Sequence, residues 1–326
     1  MATQTLATSL PTIEEIREAQ QPVYTVMPPT PQFAWPLLCE RLGTEVWVKH
    51  ENHTPIGAFK ARTAVVYVAE LFRETGGAAG LVTATRGNHG QSVALAARRF
   101  GAQAHIVVPR GNSIEKNAAM RAQGADLIEY GSDFQESKEY AQQLADERGW
   151  HFVPSYHRNI VKGVATYWLE FFSAVADLDV VYVPIGQGSG ICSCCAVRNG
   201  LNLKTKIVGV VPEGAAAYAL SFEAGRKIAS PVTTLLGDGM ACRVPDDASL
   251  EVVLENVDRI LRVSEEEIAQ AMKIYFTDTH NVVEGAGAAG LAAALKEKEA
   301  LKGKRVGLVI TGGNVDHDVF ARVLRD

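Results

Sequence analysis

The chain has 326 residues, 47% of them hydrophobic and 21% charged, with a formal net charge of −5. That length buries a large core and predicts two domains, while the acidic balance gives no basic patch on which nucleic-acid binding could be argued. No apolar run is long enough for a membrane span, and the opening MATQTLATSLPT lacks the basic start and apolar stretch of a secretory signal; it reads as a frayed tail on a cytoplasmic protein.

The first expected helix begins at Thr12, with Glu15 three residues on as a capping box. VWVKHE (46–51) is a strand that leads straight to Lys60. GLVTAT (80–85), AHIVVP (104–109), DLIEYG (126–131) and WHFVP read as strands, separated by helices over 90–100 and 112–124 and one begun by Asp133 with Glu136. This alternation predicts a small parallel α/β unit. Residues 158–176 look helical, VVYVPIG (180–186) is a buried strand, and a helix from about Ile191 and a strand KIVGVV (206–211) follow. Ser264 with Glu267 caps a further helix, a small-residue helix spans about 285–296, and VGLVIT (306–311) is the last strand. Three of the five cysteines crowd at Cys192, Cys194 and Cys195. With no second cluster to complete four ligands, they read as buried thiols packing a helix and not as a metal site.

Ligands of α/β proteins gather on the loops that follow parallel strands, and four such loops stand out. In ENHTPIGAFK (51–60) a Pro-Gly turn precedes Lys60 among apolar neighbours. Such a lysine has a lowered pKa and suits attack on an aldehyde, the alternative being a surface lysine at a helix start. TRGNHGQ (85–91) sits at a strand-to-helix junction where free amides attract an anion such as a carboxylate, unless it is a simple Asn/Gly cap. GQGSG (186–190) presents consecutive amides to a phosphate. It fails as a dinucleotide G-x-G-x-x-G because the required third glycine position is Ile191. TGGN (311–314) puts the Thr311 hydroxyl at another strand end, where it could face a ring nitrogen, or is only a Gly-Gly turn. A Schiff-base lysine, a carboxylate loop, a phosphate loop and a hydroxyl together describe pyridoxal phosphate holding an amino acid.

These segments resemble a known family. ENHTPIGAFKART is similar to the lysine motif of the pyridoxal-phosphate-dependent fold type II (tryptophan-synthase-β-like) enzymes, TRGNHGQS to their substrate loop, PIGQGSG to their phosphate loop and TGGNVD to their terminal motif. The match runs in order along nearly the whole chain and resembles the threonine and serine dehydratases most. The resemblance implies an α/β protein of two open parallel-sheet domains with the cofactor in the cleft between them. Residues 1–62 with 154–326 would form the large cofactor-binding domain, and 63–153 the small one carrying the substrate loop.

It further implies that Lys60 carries the cofactor as a Schiff base and then takes the substrate's α-proton. Phe59 would pack near the ring, Asn88 would bond the phenolic oxygen, and Glu284 in VEGAGAAG would lie close to the ring. Gly186, Gln187, Gly188, Ser189 and Gly190 would hold the phosphate, and Thr311 would face the pyridine nitrogen. Thr85, Arg86, Asn88 and His89 would surround the substrate carboxylate. The implied reaction converts a β-hydroxy amino acid of the threonine, serine or phenylserine type to a 2-oxo acid and ammonia, in a homodimer.

Several positions depart from the family pattern. Ala58 stands for a serine and Thr63 for a glycine. Arg86 replaces the serine that re-protonates the substrate in serine racemase-like members, and a permanently charged guanidinium is a poor donor there. VPEGAAA (211–217) lacks the acidic metal ligands of those members, so no metal is expected. The chain stops soon after Asn314, so a C-terminal regulatory domain is not expected either. A 3-hydroxyaspartate or hydroxyectoine-pathway dehydratase, a β-replacement synthase and a racemase of the same fold are the alternatives, as is a binding protein that keeps the fold without the chemistry. Phe33, Trp35 and Met240 are candidates for the wall around the β-substituent.

Overall fold

A computed structural model describes residues 10–326, so the first nine residues of the expected tail lie outside the described residues. In chain order come α1 (Ile13–Tyr24), β1 (Gln32–Ala34), α2 (Pro36–Leu42), β2 (Glu45–His50), α3 (Ala61–Thr75) and β3 (Leu81–Ala84). Then follow α4 (Asn88–Phe100), β4 (Ala104–Val108), α5 (Ile114–Ala122), β5 (Asp126–Glu129), α6 (Phe134–Arg148) and β6 (His151–Phe152). The second half holds α7 (Arg158–Ala174), β7 (Val180–Pro184), α8 (Ser189–Gly200), β8 (Lys206–Pro212), α9 (Ala217–Ala224) and α10 (Asp247–Asn256). It ends with β9 (Arg259–Val263), α11 (Glu265–Thr279), α12 (Gly285–Lys296), β10 (Arg305–Ile310) and α13 (His317–Arg325).

Local chemistry sets the helix starts. Thr12 and Ser264 close full capping boxes with Glu15 and Glu267. Asp133 accepts from Glu136 N at 2.9 Å, but the Glu136 carboxylate turns to Ser132 N at 2.7 Å, so the expected box is only half made. Helices α4 and α8 start at Asn88 and Ser189, each about a turn's fraction earlier than the apolar pattern alone suggests. Elements β1, α2, α3, α9, α10, β9 and α13 were not among those expected.

The strands form two sheets. One has six strands in the order β1-β2-β10-β7-β8-β9, parallel except for the β1–β2 edge pair. The other has four parallel strands in the order β5-β4-β3-β6. Helices cover both faces of each sheet, as buried parallel strands require. On the larger sheet one apolar layer gathers α7, α8 and α10, and the opposite layer α11 and α12. The smaller sheet packs α3 and α4 on one face and α6 on the other. The expected α/β class with two open parallel sheets is the observed one. Strands β2, β3, β7 and β10 all end, at their carboxyl sides, in the four loops singled out in the sequence.

Candidate active site

The Lys60 turn is built by its neighbours. Gly57 takes φ +66°, and a Cβ there would meet Asn314 Oδ1 at 2.9 Å, so the turn needs glycine. Phe59 N donates to Thr311 O at 2.9 Å and Gly313 N to Gly57 O at 2.9 Å, which ties this loop to the end of β10. Thr63 and Ser92 both donate hydroxyl hydrogen bonds to Lys60 O, so the departure at Thr63 fixes the first turn of α3. Ala58, the other departure, is buried and bridges Gly312.

The Lys60 side chain is half-buried, and its Nζ lies 5.1 Å from the Phe59 ring centre. Among the described residues it makes no hydrogen bond or ion pair. Burial pushes this amine down to about 8, against the opposing pull of the Glu284 carboxylate. Glu284 is buried, and burial raises its carboxyl to about 7, helped by the charge of Asp238 and opposed by Lys116, Asn88 and Asn314. Asn88 Nδ2 donates to both Glu284 oxygens at 3.0 and 3.1 Å, while Asn314 Nδ2 donates to Asn88 Oδ1 at 2.7 Å. The structure thus joins Asn88, Glu284 and Asn314 in one chain.

Two helix starts at these strand ends carry free amides. At the start of α8 the backbone N–H groups from Gly186 to Ile191 donate no hydrogen bond among the described residues, and Gly188 takes φ +98°. At the start of α4 the same holds for Asn88, His89 and Gly90. Thr85 Oγ1 accepts from Gly87 N at 3.0 Å and so shapes this second loop. His89 is buried, with Nδ1 unpartnered and Nε2 3.5 Å from Val153 O, and burial pushes its pKa to about 3, leaving it neutral. Thr311 is a buried residue whose hydroxyl has no hydrogen-bond partner among the described residues.

Arg86 is different: its side chain is exposed and pairs with nothing among the described residues. Met240 is buried beside Gly186, whereas Phe33 and Trp35 pack around His50 on the β1 edge. Sequence reasoning missed Lys116 and Asp238. The Lys116 stem lies against Gly87, and its Nζ pairs with Asp238 at 2.7 Å. Both sit outside any motif, and only the three-dimensional structure brings them to the site. The clustered cysteines are buried on α8 as packing residues. Among the described residues no group of three or more His, Cys, Asp or Glu could hold a metal, and no helix is long and apolar enough to cross a membrane.

Comparison with known proteins bears on this geometry. The family model described as "Pyridoxal-phosphate dependent enzyme" matches residues 23–312. The L-threonine ammonia-lyase of Thermotoga maritima is 36% identical over 96% of this chain and 78% of its own length. The L-threo-3-hydroxyaspartate ammonia-lyase of Saccharomyces cerevisiae is 32% identical, covering 97% of both chains. Maize serine racemase superposes with a TM-score of 0.90 at 30% identity, over 97% of this chain and 98% of its own.

Proposed function

This chain belongs to the pyridoxal-phosphate-dependent enzymes of fold type II, and on that footing we propose that it is an ammonia-lyase for a neutral β-hydroxy amino acid of the threonine and serine class. One observation carries the reading: two runs of unpaired amides, at Gly186–Ile191 and Asn88–Gly90, lie on loops at the same strand ends as an unpartnered, half-buried lysine. Relatives named as threonine and 3-hydroxyaspartate ammonia-lyases support the reaction class.

The cofactor is pyridoxal phosphate, and the residues present fit it. The free amides of Gly186, Gln187, Gly188, Ser189 and Gly190 would hold the phosphate, since a helix start with aligned N–H groups is an anion site. Lys60 would anchor the aldehyde end beside Phe59. Asn88 would reach the phenolic oxygen, Glu284 would lie near the ring, and the unpartnered Thr311 hydroxyl would face the pyridine nitrogen. When bound, the cofactor supplies an electron sink for the pair released at the substrate's Cα. Lys60 Nζ takes the α-proton, and an amine held at about 8 is a competent base near neutrality. The amides of Asn88 to Gly90, with Thr85 and the neutral His89, orient the substrate carboxylate. The β-hydroxyl leaves as water, and a second water then hydrolyses the released enamine, giving the 2-oxo acid its keto oxygen and freeing ammonia.

The preference for a neutral side chain follows from charge. Lys116 beside the substrate loop is already neutralised by Asp238, and His89 carries no charge. Apart from the exposed Arg86, a second carboxylate would therefore enter without a cation in waiting. The exposed, unpaired Arg86 supports the rival reading, 3-hydroxyaspartate. The same proposal assigns residues 1–62 and 154–326 to the cofactor domain and 63–153 to the small one; strands β3 to β6 fall wholly within the latter.

The test is a panel of threonine, serine, 3-phenylserine and 3-hydroxyaspartate scored for 2-oxo acid and ammonia, with Lys60→Ala as the blank. Turnover of threonine or serine above that of 3-hydroxyaspartate, and none in Lys60→Ala, is expected. Exclusive use of 3-hydroxyaspartate overturns the neutral class; full turnover by Lys60→Ala overturns the mechanism.

A further inference from the structure

The amides of Gly186–Ile191 are unpaired, while three carbonyls of the same loop are held by hydrogen bonds. Gly188 O accepts from Cys192 N at 3.0 Å. Gly190 O accepts from Trp168 Nε1 at 3.1 Å and Ser193 Oγ at 2.7 Å. Gln187 O accepts from Tyr218 at 3.1 Å, and this bond ends a longer chain. The Tyr218 oxygen lies 2.9 Å from Ser249 Oγ, which lies 3.4 Å from Cys192 Sγ, which lies 3.5 Å from the Tyr156 oxygen.

The direction of the chain is fixed by its end. A carbonyl has no proton to give, so Tyr218 must donate to Gln187 O and accept from Ser249. Cys192 then gives its proton to Ser249, whose Oγ is the nearer acceptor at 3.4 Å and whose backbone oxygen lies at 3.8 Å, and accepts from Tyr156. Each of the four groups has one proton and uses it once, so no donor is left over. Tyr218, Ser249 and Cys192 are fully buried. Ser249 is also fixed by its own backbone, whose N–H donates to the α10 cap Asp246 at 3.1 Å. Its Oγ occupies the space of a side chain at Gly188, where a Cβ would come within 1.6 Å.

We propose that Tyr218 and Ser249 are positioning residues for the cofactor's phosphate: a one-way chain Tyr156–Cys192–Ser249–Tyr218 turns the Gln187 carbonyl inward and so aims the amides of the loop at the phosphate. This rests on the reading of Gly186–Gly190 as the phosphate loop. Burial pushes the Tyr156, Cys192 and Tyr218 groups upward, which keeps their protons in place at neutral pH. Links in such a chain polarise one another, so breaking one weakens the rest.

The test compares binding of pyridoxal phosphate and of pyridoxal, which lacks the phosphate, to the cofactor-free protein, with the 31P shift of the bound phosphate as a second readout. Tyr218→Phe and Ser249→Ala are each expected to weaken pyridoxal phosphate about tenfold, to move the 31P signal and to leave pyridoxal unchanged. The double variant is expected to match the weaker single one, because a chain is broken only once. Multiplied effects overturn the chain. Should the buried variants not fold, Tyr156→Phe at the half-buried end carries the same comparison, with a loss of about threefold expected. A wild type that prefers pyridoxal phosphate and variants that keep that preference in full overturn the inference alone. A wild type without the preference overturns the phosphate-loop reading, and the inference with it.

Discussion

Glu284 is a carboxyl that folding makes harder to ionise. It is enclosed at the start of α12, faces the negative Asp238, and is relieved only partly by Lys116 and by the donors Asn88 and Asn314. Its pKa moves from 4.5 to about 7, so the folded chain holds this proton over a range in which the unfolded chain has lost it. A raised carboxyl contributes no penalty below its unfolded value, and stability falls as pH rises toward the folded value. The cofactor-free protein is therefore expected to lose on the order of 3 kcal/mol between pH 4.5 and 7 through this group. Lys60 acts in a separate window: its lowered pKa penalises the folded state below about 8 and the penalty fades as pH rises beyond it. Glu284→Gln should flatten the fall between pH 5 and 7.5 in urea unfolding. An unaltered slope would place the titrating group elsewhere.

At the scale of elements, the Lys60 turn is bolted to the large sheet by a buried ion network. Arg62, at the start of α3, pairs with Glu51 at 2.8 Å after β2 and with Glu170 at 2.6 Å on α7, and Lys49 on β2 pairs with Glu170 at 2.7 Å. Lys49, Glu51 and Arg62 are wholly buried, so two positive and two negative charges balance without water. Arg62→Met leaves both carboxylates short of a partner and should cost about 3–5 kcal/mol, read as a lower urea midpoint. Arg62→Lys should rescue little of it, since a single ammonium cannot replace the forked contact to Glu51. A midpoint shift under about 1 kcal/mol in Arg62→Met would mean that the charges are not desolvated together. The motif around Lys60 was readable because its glycine, proline and lysine have local meanings. The network was not, because Glu170 lies 108 positions from Arg62 and looks like any helical glutamate. The same limit explains α9, α10 and β9. The stretch 225–246 holds only one 3-10 turn, and Glu265 closes part of it by accepting from Leu235 N and Leu236 N. Short elements around such a stretch carry no long period to detect.

Across the whole molecule, strand-to-loop order alone located the four loops, because parallel sheets send their carboxyl ends to one side. What holds those loops against each other was invisible in the sequence. The first turn of α5 reaches over to the far chain terminus and to the 236–240 loop: Ser113 Oγ donates to Asp316 Oδ1 at 2.5 Å, Glu115 meets His317 at 2.7 Å, and Lys116 meets Asp238 at 2.7 Å. The last of these crosses directly beside Gly87 of the 85–91 loop and is only 16% and 33% exposed at its two side chains. If the 85–91 loop holds the substrate as proposed, the partner choice of Lys116 would set the charge that an incoming substrate meets. Asp238→Asn keeps the shape but frees the ammonium of Lys116 beside Gly87. The expected outcome is a rise of about tenfold in kcat/KM for 3-hydroxyaspartate relative to threonine, the scale of one partly buried charge contact. The shift should shrink in high salt, because part of the contact remains open to solvent. Lys116→Met in the same background should return the ratio to its starting value. A ratio that stays fixed in Asp238→Asn would show that Lys116 does not reach the substrate, and that the neutral preference has another source.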